Sequence, residues 1–276
     1  MSARLLRVSC LRAAGVSPDT VDLLLPDENT PVQHELVKVE PGTLIWSAKL
    51  PDQTRAIVKM YRRRSLLQAR RTRVGSFRAG REYAALRRLS ERRVPCSEPL
   101  FWAHGEVEVH GRFELLATHA IEGAVPLTAW IADASESARM AVLHSVFRSV
   151  RAMHASGVRH GGLSFKNLLV APTSGEAAVF LIDFSRSVLF PTDIAGTRMA
   201  WFDLADLTNK VIRGFGSDAC APLLASYGLR PEEAQRMTRF AERHKSTRHL
   251  RRRLRIEFRI RARCLAALRD PRALAF

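Results

Sequence analysis

Two oxygen-bearing side chains flank a short hairpin signal in this chain. In "NLLVAPTSGEAAVFLIDFS", the apolar runs Leu168 to Ala171 and Ala178 to Ile182 enclose a Pro-Thr-Ser-Gly turn. Asn167 and Asp183 each stand eight residues from Gly175. Folding about that turn carries both to one open end. There an amide oxygen and a carboxylate could hold Mg²⁺ against phosphate oxygens. The plainer alternative is that Asn167 caps a turn and Asp183 ends a strand. Upstream, "VRHGGLSFKNLLV" sets His160 ahead of Asn167, as the residue that organises the loop between a helix and this hairpin. A phosphoryl-transfer loop of that spacing carries an Asp base two residues after the His. Gly162 occupies that position.

A second pair belongs to the first half of the chain. Lys59, in "RAIVKMY", shares a strand face with Ile57 and Tyr61. It points either to an anion or to solvent. Glu82, in "FRAGREYAALRRLSERR", shares a helix face with Ala85, Leu86 and Leu89. A carboxylate on a buried stripe requires a cationic partner. Lys59 fits, with Arg78 or Arg81 as local alternatives. A strand Lys held by a helix Glu places an ammonium on nucleotide phosphates.

These residues need particular elements to position them. "PGTLIWSAKL" and "TRAIVKMY" read as strands separated by "PDQ". Residues 65–93 are helical in character. "VPCSEPLFWAHGEVEVHGRFELLAT" returns to strands, with a hairpin turn at "EVHGR". "SESARMAVLHSVFRSVRAMHASG" is an amphipathic helix: Val142, Val146, Val150 and Met153 share a face, and Gly157 stops it. Past the opening hairpin the chain is mostly helix. Asp203 precedes a helix with Leu204, Leu207 and Val211 inward, either as a simple N-cap or, as in kinases, holding the catalytic-loop backbone.

The chain has 276 residues and is 46% hydrophobic, enough for one large domain or two lobes. Its formal charge of +17 favours an anionic partner: nucleic acid, an acidic membrane face or a phosphorylated substrate. Cys10, Cys96, Cys220 and Cys264 are scattered and read as reduced thiols of a cytoplasmic protein. Arg residues interrupt the apolar runs of the first segment, so it does not read as a signal peptide. No apolar run reaches the ~18 residues of a membrane span.

Taken in order, a strand Lys, a helix Glu, His-x₆-Asn, an apolar hairpin, Asp-Phe and an Asp-led helix read as an α+β, two-lobed, protein-kinase-like fold. The expected N-lobe, residues 1–118, is a small antiparallel sheet with one key helix. The expected C-lobe, residues 119–276, is mostly helical. "VKMYRRR", "GREYAALRRLSERRVPCSEPLFW", "HGGLSFKNLLV", "FLIDFSRS" and "DLADL" resemble the bacterial lipopolysaccharide core kinases of the heptose and Kdo type, from about Val37 to Leu207. That resemblance implies ATP, Mg²⁺ and a sugar hydroxyl of a lipopolysaccharide core or other anionic glycolipid as acceptor. It also implies a place at the cytoplasmic face of the inner membrane. By the same resemblance Lys59 contacts the α/β-phosphates, Glu82 holds Lys59, Asn167 and Asp183 bind Mg²⁺, and His160 orders the loop.

Three departures stand against the pattern: Gly162 in place of the base, a single Gly42 in "VEPGTLIWSAKL", and Ser185 after Asp183-Phe184. Ser164 could hydrogen-bond an acceptor. Lys166 is either near transferred phosphate or solvated. Glu176 and Asp193 are further carboxylates without a spacing argument. Three readings follow: a slow or rewired sugar kinase, a nucleotide-binding pseudokinase acting as a partner protein, and a basic nucleic-acid-binding protein. The last lacks any recognisable nucleic-acid module.

Overall fold

The structure is a computed structural model. It describes residues 10–12, 35–49, 54–62, 77–107, 111–172 and 177–243. The chain divides into two compact units, residues 1–87 with 97–122, and residues 88–96 with 123–276.

The first unit is built on an antiparallel sheet. Its strands are β1 (Cys10–Arg12), β2 (Glu35–Glu40), β3 (Thr43–Lys49), β4 (Arg55–Arg62), β5 (Pro99–Val107) and β6 (Gly111–His119), in the order β1-β5-β6-β4-β3-β2. Alternation along β4 decides what each face carries. Ala56, Val58 and Met60 join Trp46, Phe101, Phe113, Leu115 and Ala117 in an apolar core. The opposite residues, Ile57, Lys59 and Tyr61, pair with Thr118, Leu116 and Glu114 of β6. The helix α1 (Arg78–Glu91) buries Ala79, Glu82, Ala85, Leu86 and Leu89, the stripe expected from its spacing. Residues 65–76, the first part of the expected helical stretch, lie outside the described residues.

The second unit is mostly helical. A short strand β7 (Val125–Pro126) leads into α2 (Leu127–Asp133) and α3 (Glu136–Ala155). Ser135 caps α3, its Oγ accepting from the Ala138 amide. Val142, Leu143, Val146, Phe147, Val150 and Met153 form the buried stripe. Gly157 ends the run with φ 72°, and a Cβ there would stand 2.4 Å from the Phe190 carbonyl oxygen. Only glycine meets both demands.

Beyond it come β8 (Val158–Arg159), a 3₁₀ turn at Phe165–Asn167, then β9 (Leu168–Ala171), β10 (Ala178–Leu181) and β11 (Val188–Leu189). Three helices follow, α4 (Arg198–Phe215), α5 (Cys220–Tyr227) and α6 (Pro231–Arg243). Cys96 and Cys220 are free thiols. Among the described residues no helix is long and apolar enough to cross a membrane.

Two local expectations need correction. Asp203 is not an N-cap: α4 starts earlier, capped by Thr197, whose Oγ1 accepts from the Met199 amide. Ala200 and Phe202, ahead of Asp203, already belong to the buried face of this helix. The β9–β10 hairpin pairs Leu168 with Leu181 and Ala171 with Ala178. Its register therefore sets Asn167 opposite Ile182, whose amide donates to the Asn167 carbonyl at 3.1 Å. Asp183 lies one residue further on, so the symmetry about Gly175 is off by one.

Candidate active site

In the first unit, Lys59 and Glu82 meet. Lys59 Nζ donates to Glu82 Oε1 at 2.8 Å, and Tyr61 Oη donates to Glu82 Oε2. The Glu82 carboxylate is almost wholly buried, and Lys59 is 15% exposed. A buried charge must be paired and hydrogen-bonded, and here both oxygens are. Of the local alternatives, Arg78 lies over the Tyr61 ring, 5.8 Å from its centroid. Glu114 adds a second buried carboxylate, accepting the Ala79 amide at 2.9 Å. It satisfies an orphan donor at the start of α1 and so fixes the helix that carries Glu82.

Sequence reasoning missed the roles of Tyr61 and Glu114. The signal was present in the alternation of "GRFELLATH", which puts Glu114 on the face opposite Phe113 and Leu115. The β2–β3 turn is only Pro41-Gly42, and the Gly42 carbonyl accepts the Arg62 amide at 2.9 Å. A turn this tight matches the lack of a glycine-rich phosphate loop in the sequence.

The second unit organises the loop from His160 to Asn167. Asp203, fully buried in α4, accepts the His160 amide at 2.7 Å and the Gly161 amide at 3.0 Å, one on each oxygen. Burial alone would raise its pKa. The His154 ring, its Nε2 3.5 Å from Asp203 Oδ2, together with Arg159 and His160 nearby, outweighs burial and holds the carboxyl well below the usual range. His160 Nε2 sits 3.0 Å from the Ile182 carbonyl oxygen, and its ring packs 4.7 Å from that of buried Phe184. Asn167 Nδ2 donates to the Gly162 carbonyl at 2.8 Å. Its Oδ1 has no donor among the described residues.

Asp183 adopts φ 63°, a left-handed backbone uncommon for a non-glycine residue. Such conformations persist where surrounding structure over-determines them, and they gather at functional sites. Among the described residues no cluster of three His, Cys, Asp or Glu side chains could cage a metal. An Asn oxygen and one carboxylate do suit Mg²⁺, which takes few protein oxygens and completes its shell with phosphates and water.

The two glycines after His160 differ. Gly161 has φ 79°, and a Cβ there would lie 2.4 Å from the Arg186 carbonyl oxygen. Gly162 has no left-handed φ, and its Cβ would meet only Arg186 Cδ, at 3.7 Å. Gly161 is demanded by the backbone; Gly162 is not. The other candidates spread out. Lys166 is exposed and Ser164 half-buried. Asp193 pairs with Arg151 at 3.3 Å and accepts the Ala195 amide. Glu176 lies outside the described residues.

The model of the lipopolysaccharide kinase (Kdo/WaaP) family matches residues 38–227, well over half of the sequence. The chain belongs to this family. Among solved structures it is similar to WaaP in complex with acyl carrier protein, with 21% identity and a TM-score of 0.57. The match covers 77% of this chain and 89% of that one. This likeness gives the kinase-like fold, and the Kdo/WaaP family is one of kinases. No curated protein matches the chain by sequence.

Proposed function

We propose that this Kdo/WaaP-family chain is an ATP-dependent phosphotransferase acting on a sugar hydroxyl of a lipopolysaccharide core or similar anionic glycolipid. The observation that carries the reading is the double hold of Asp203 on His160 and Gly161. It fixes the loop that ends at Asn167, beside the start of the segment bearing Asp183. In this reading Lys59, held by Glu82, contacts nucleotide phosphates. Asn167 and Asp183 hold Mg²⁺, which supplies charge neutralisation on the transferred phosphate. His160 orders the loop.

Phosphoryl transfer depends chiefly on positioning and electrostatics, so loss of a carboxylate at position 162 slows the reaction without removing its main terms. A general base is worth about 10²–10⁴-fold. Turnover of ATP with defined lipopolysaccharide core acceptors tests the reading, and slow transfer to the acceptor is the expected result.

Gly162 also favours a second reading, a pseudokinase that binds nucleotide and serves as a partner protein. Saturable Mg-ATP binding with no transfer to any core acceptor would select it. The high basic charge supports an anionic membrane surface as the place of work, at the inner face of the inner membrane.

A further inference from the structure

The side chain next to the missing carboxylate is a cation. Arg186 is anchored against the glycine pair: its carbonyl oxygen and Cβ crowd Gly161, and its Cδ runs beside Gly162. The residue is exposed, and its guanidinium makes no hydrogen bond or ion pair with any described residue. An Asp at 162 would stand beside this cationic side chain, whose Cδ lies 3.7 Å from the Cβ position, and would offset its charge. With glycine there, the place of the base is cationic and open. Lys166, also exposed, adds a second positive charge on the same loop. A planar guanidinium with free donors is suited to a phosphate group, which it binds through two parallel hydrogen bonds.

We propose that Arg186 binds a phosphate monoester already carried by the acceptor, and that this phosphate takes the proton the absent carboxylate would have taken. This rests on the phosphotransferase reading above. A phosphate monoester has a second pKa of about 6, so at pH 7 it is largely the dianion. That is closer to the working pH than an Asp at about 3.9, which favours it as a base. In the step, the acceptor oxygen forms a bond to the γ-phosphorus of ATP. The bond from that phosphorus to the β–γ bridging oxygen breaks, and ADP leaves with the electron pair. The hydroxyl proton passes to the neighbouring phosphate dianion, which becomes the monoanion. Arg186 is a binding residue for the acceptor phosphate, and Gly162 is the space that admits it.

The test has a binding arm and a turnover arm. In calorimetry, inorganic phosphate should bind the wild type. Arg186→Ala should weaken binding at least tenfold, Gly162→Asp should weaken it similarly, and Arg186→Lys should retain part of it. Thermal melting and Mg-ATP affinity, both expected to be unchanged in Arg186→Ala, separate this from misfolding. In turnover, the wild type should favour a phosphorylated core oligosaccharide over its dephosphorylated form at least tenfold. Arg186→Ala should abolish that preference, and Gly162→Asp should reverse it. Equal phosphate affinity in wild type and Arg186→Ala, or equal turnover of the two acceptors, would overturn the proposal. If Mg-ATP does not bind at all, the phosphotransferase reading and the proton transfer fall together. The phosphate titration then still decides whether Arg186 forms an anion site.

Discussion

Asp203 holds His160 by its backbone rather than by its ring. The carboxylate sits inside α4, and its Oδ2 takes the His160 amide at 2.7 Å while Oδ1 takes that of Gly161. A side chain far along the sequence thus sets the path of the loop, and the loop sets Gly162 and Asn167.

Replacing Asp203 by Asn should cost about 3 kcal/mol in urea unfolding, because an amide NH₂ would face a buried N–H and leave Arg159 and His154 without the charge. The pH dependence has a definite sign. The folded pKa lies below the ordinary 3.8. The stabilisation is therefore complete above about pH 4 and is lost as pH falls below it. Asp203→Asn should flatten that acid limb. An unchanged limb would mean that another carboxylate carries it.

The glycine pair makes an internal control. Gly161→Ala should destabilise by at least about 2 kcal/mol, since it adds a left-handed strain and a carbonyl clash. Gly162→Ala should stay within about 1 kcal/mol. By the same geometry Gly162→Asp should fold, and should raise turnover of a phosphate-free acceptor at least tenfold. Equal losses of stability at the two positions would refute the distinction.

The sequence showed this loop more clearly than it showed what supports it. The order of Lys59, Glu82, His160, Asn167 and Asp183 was readable because each sits at the end or on the stripe of a periodic element. The kinase-like fold followed from that order, and the family from the resemblance carried by stretches such as "GREYAALRRLSERRVPCSEPLFW". Tyr61 and Glu114 were not read as part of the site, because a polar residue on a strand looks solvated until the helix covering that face is known. The exact hairpin register escaped too, since two apolar runs tolerate a one-residue slip in the symmetry argument. The contrast between Gly161 and Gly162 depends on where Arg186 passes, a contact that spacing does not encode.

For the Lys59–Glu82 pair, Glu82→Ala should cost about 3 kcal/mol, since it removes the buried carboxylate that accepts from both Lys59 and Tyr61. The double variant with Lys59→Ala should cost less than the sum of the two single changes. Additive losses would show that the ion pair contributes nothing beyond packing.

The basic segments predict a surface property. Eight Arg lie between Arg62 and Arg81. A second set, Arg251, Arg252, Arg255, Arg259 and Arg263, is interleaved with Leu250, Leu254 and Phe258 in a stretch outside the described residues. Each Lys or Arg near an anionic membrane contributes about 1 kcal/mol, screened over roughly 8–10 Å at physiological salt. Binding to anionic liposomes should be reversed by salt and lost when Arg251, Arg252, Arg255 and Arg259 become Glu. Equal binding to neutral vesicles would contradict it. Stronger competition by DNA than by lipopolysaccharide would favour a nucleic-acid partner.

The proposed roles of Lys59 and Asp183 in binding nucleotide can be checked by calorimetric titration with ATP in the presence and absence of Mg²⁺. The wild type should bind, Mg²⁺ should strengthen binding, and Lys59→Ala and Asp183→Ala should each weaken it at least tenfold. No binding by the wild type, or unchanged affinity in both variants, would contradict the account.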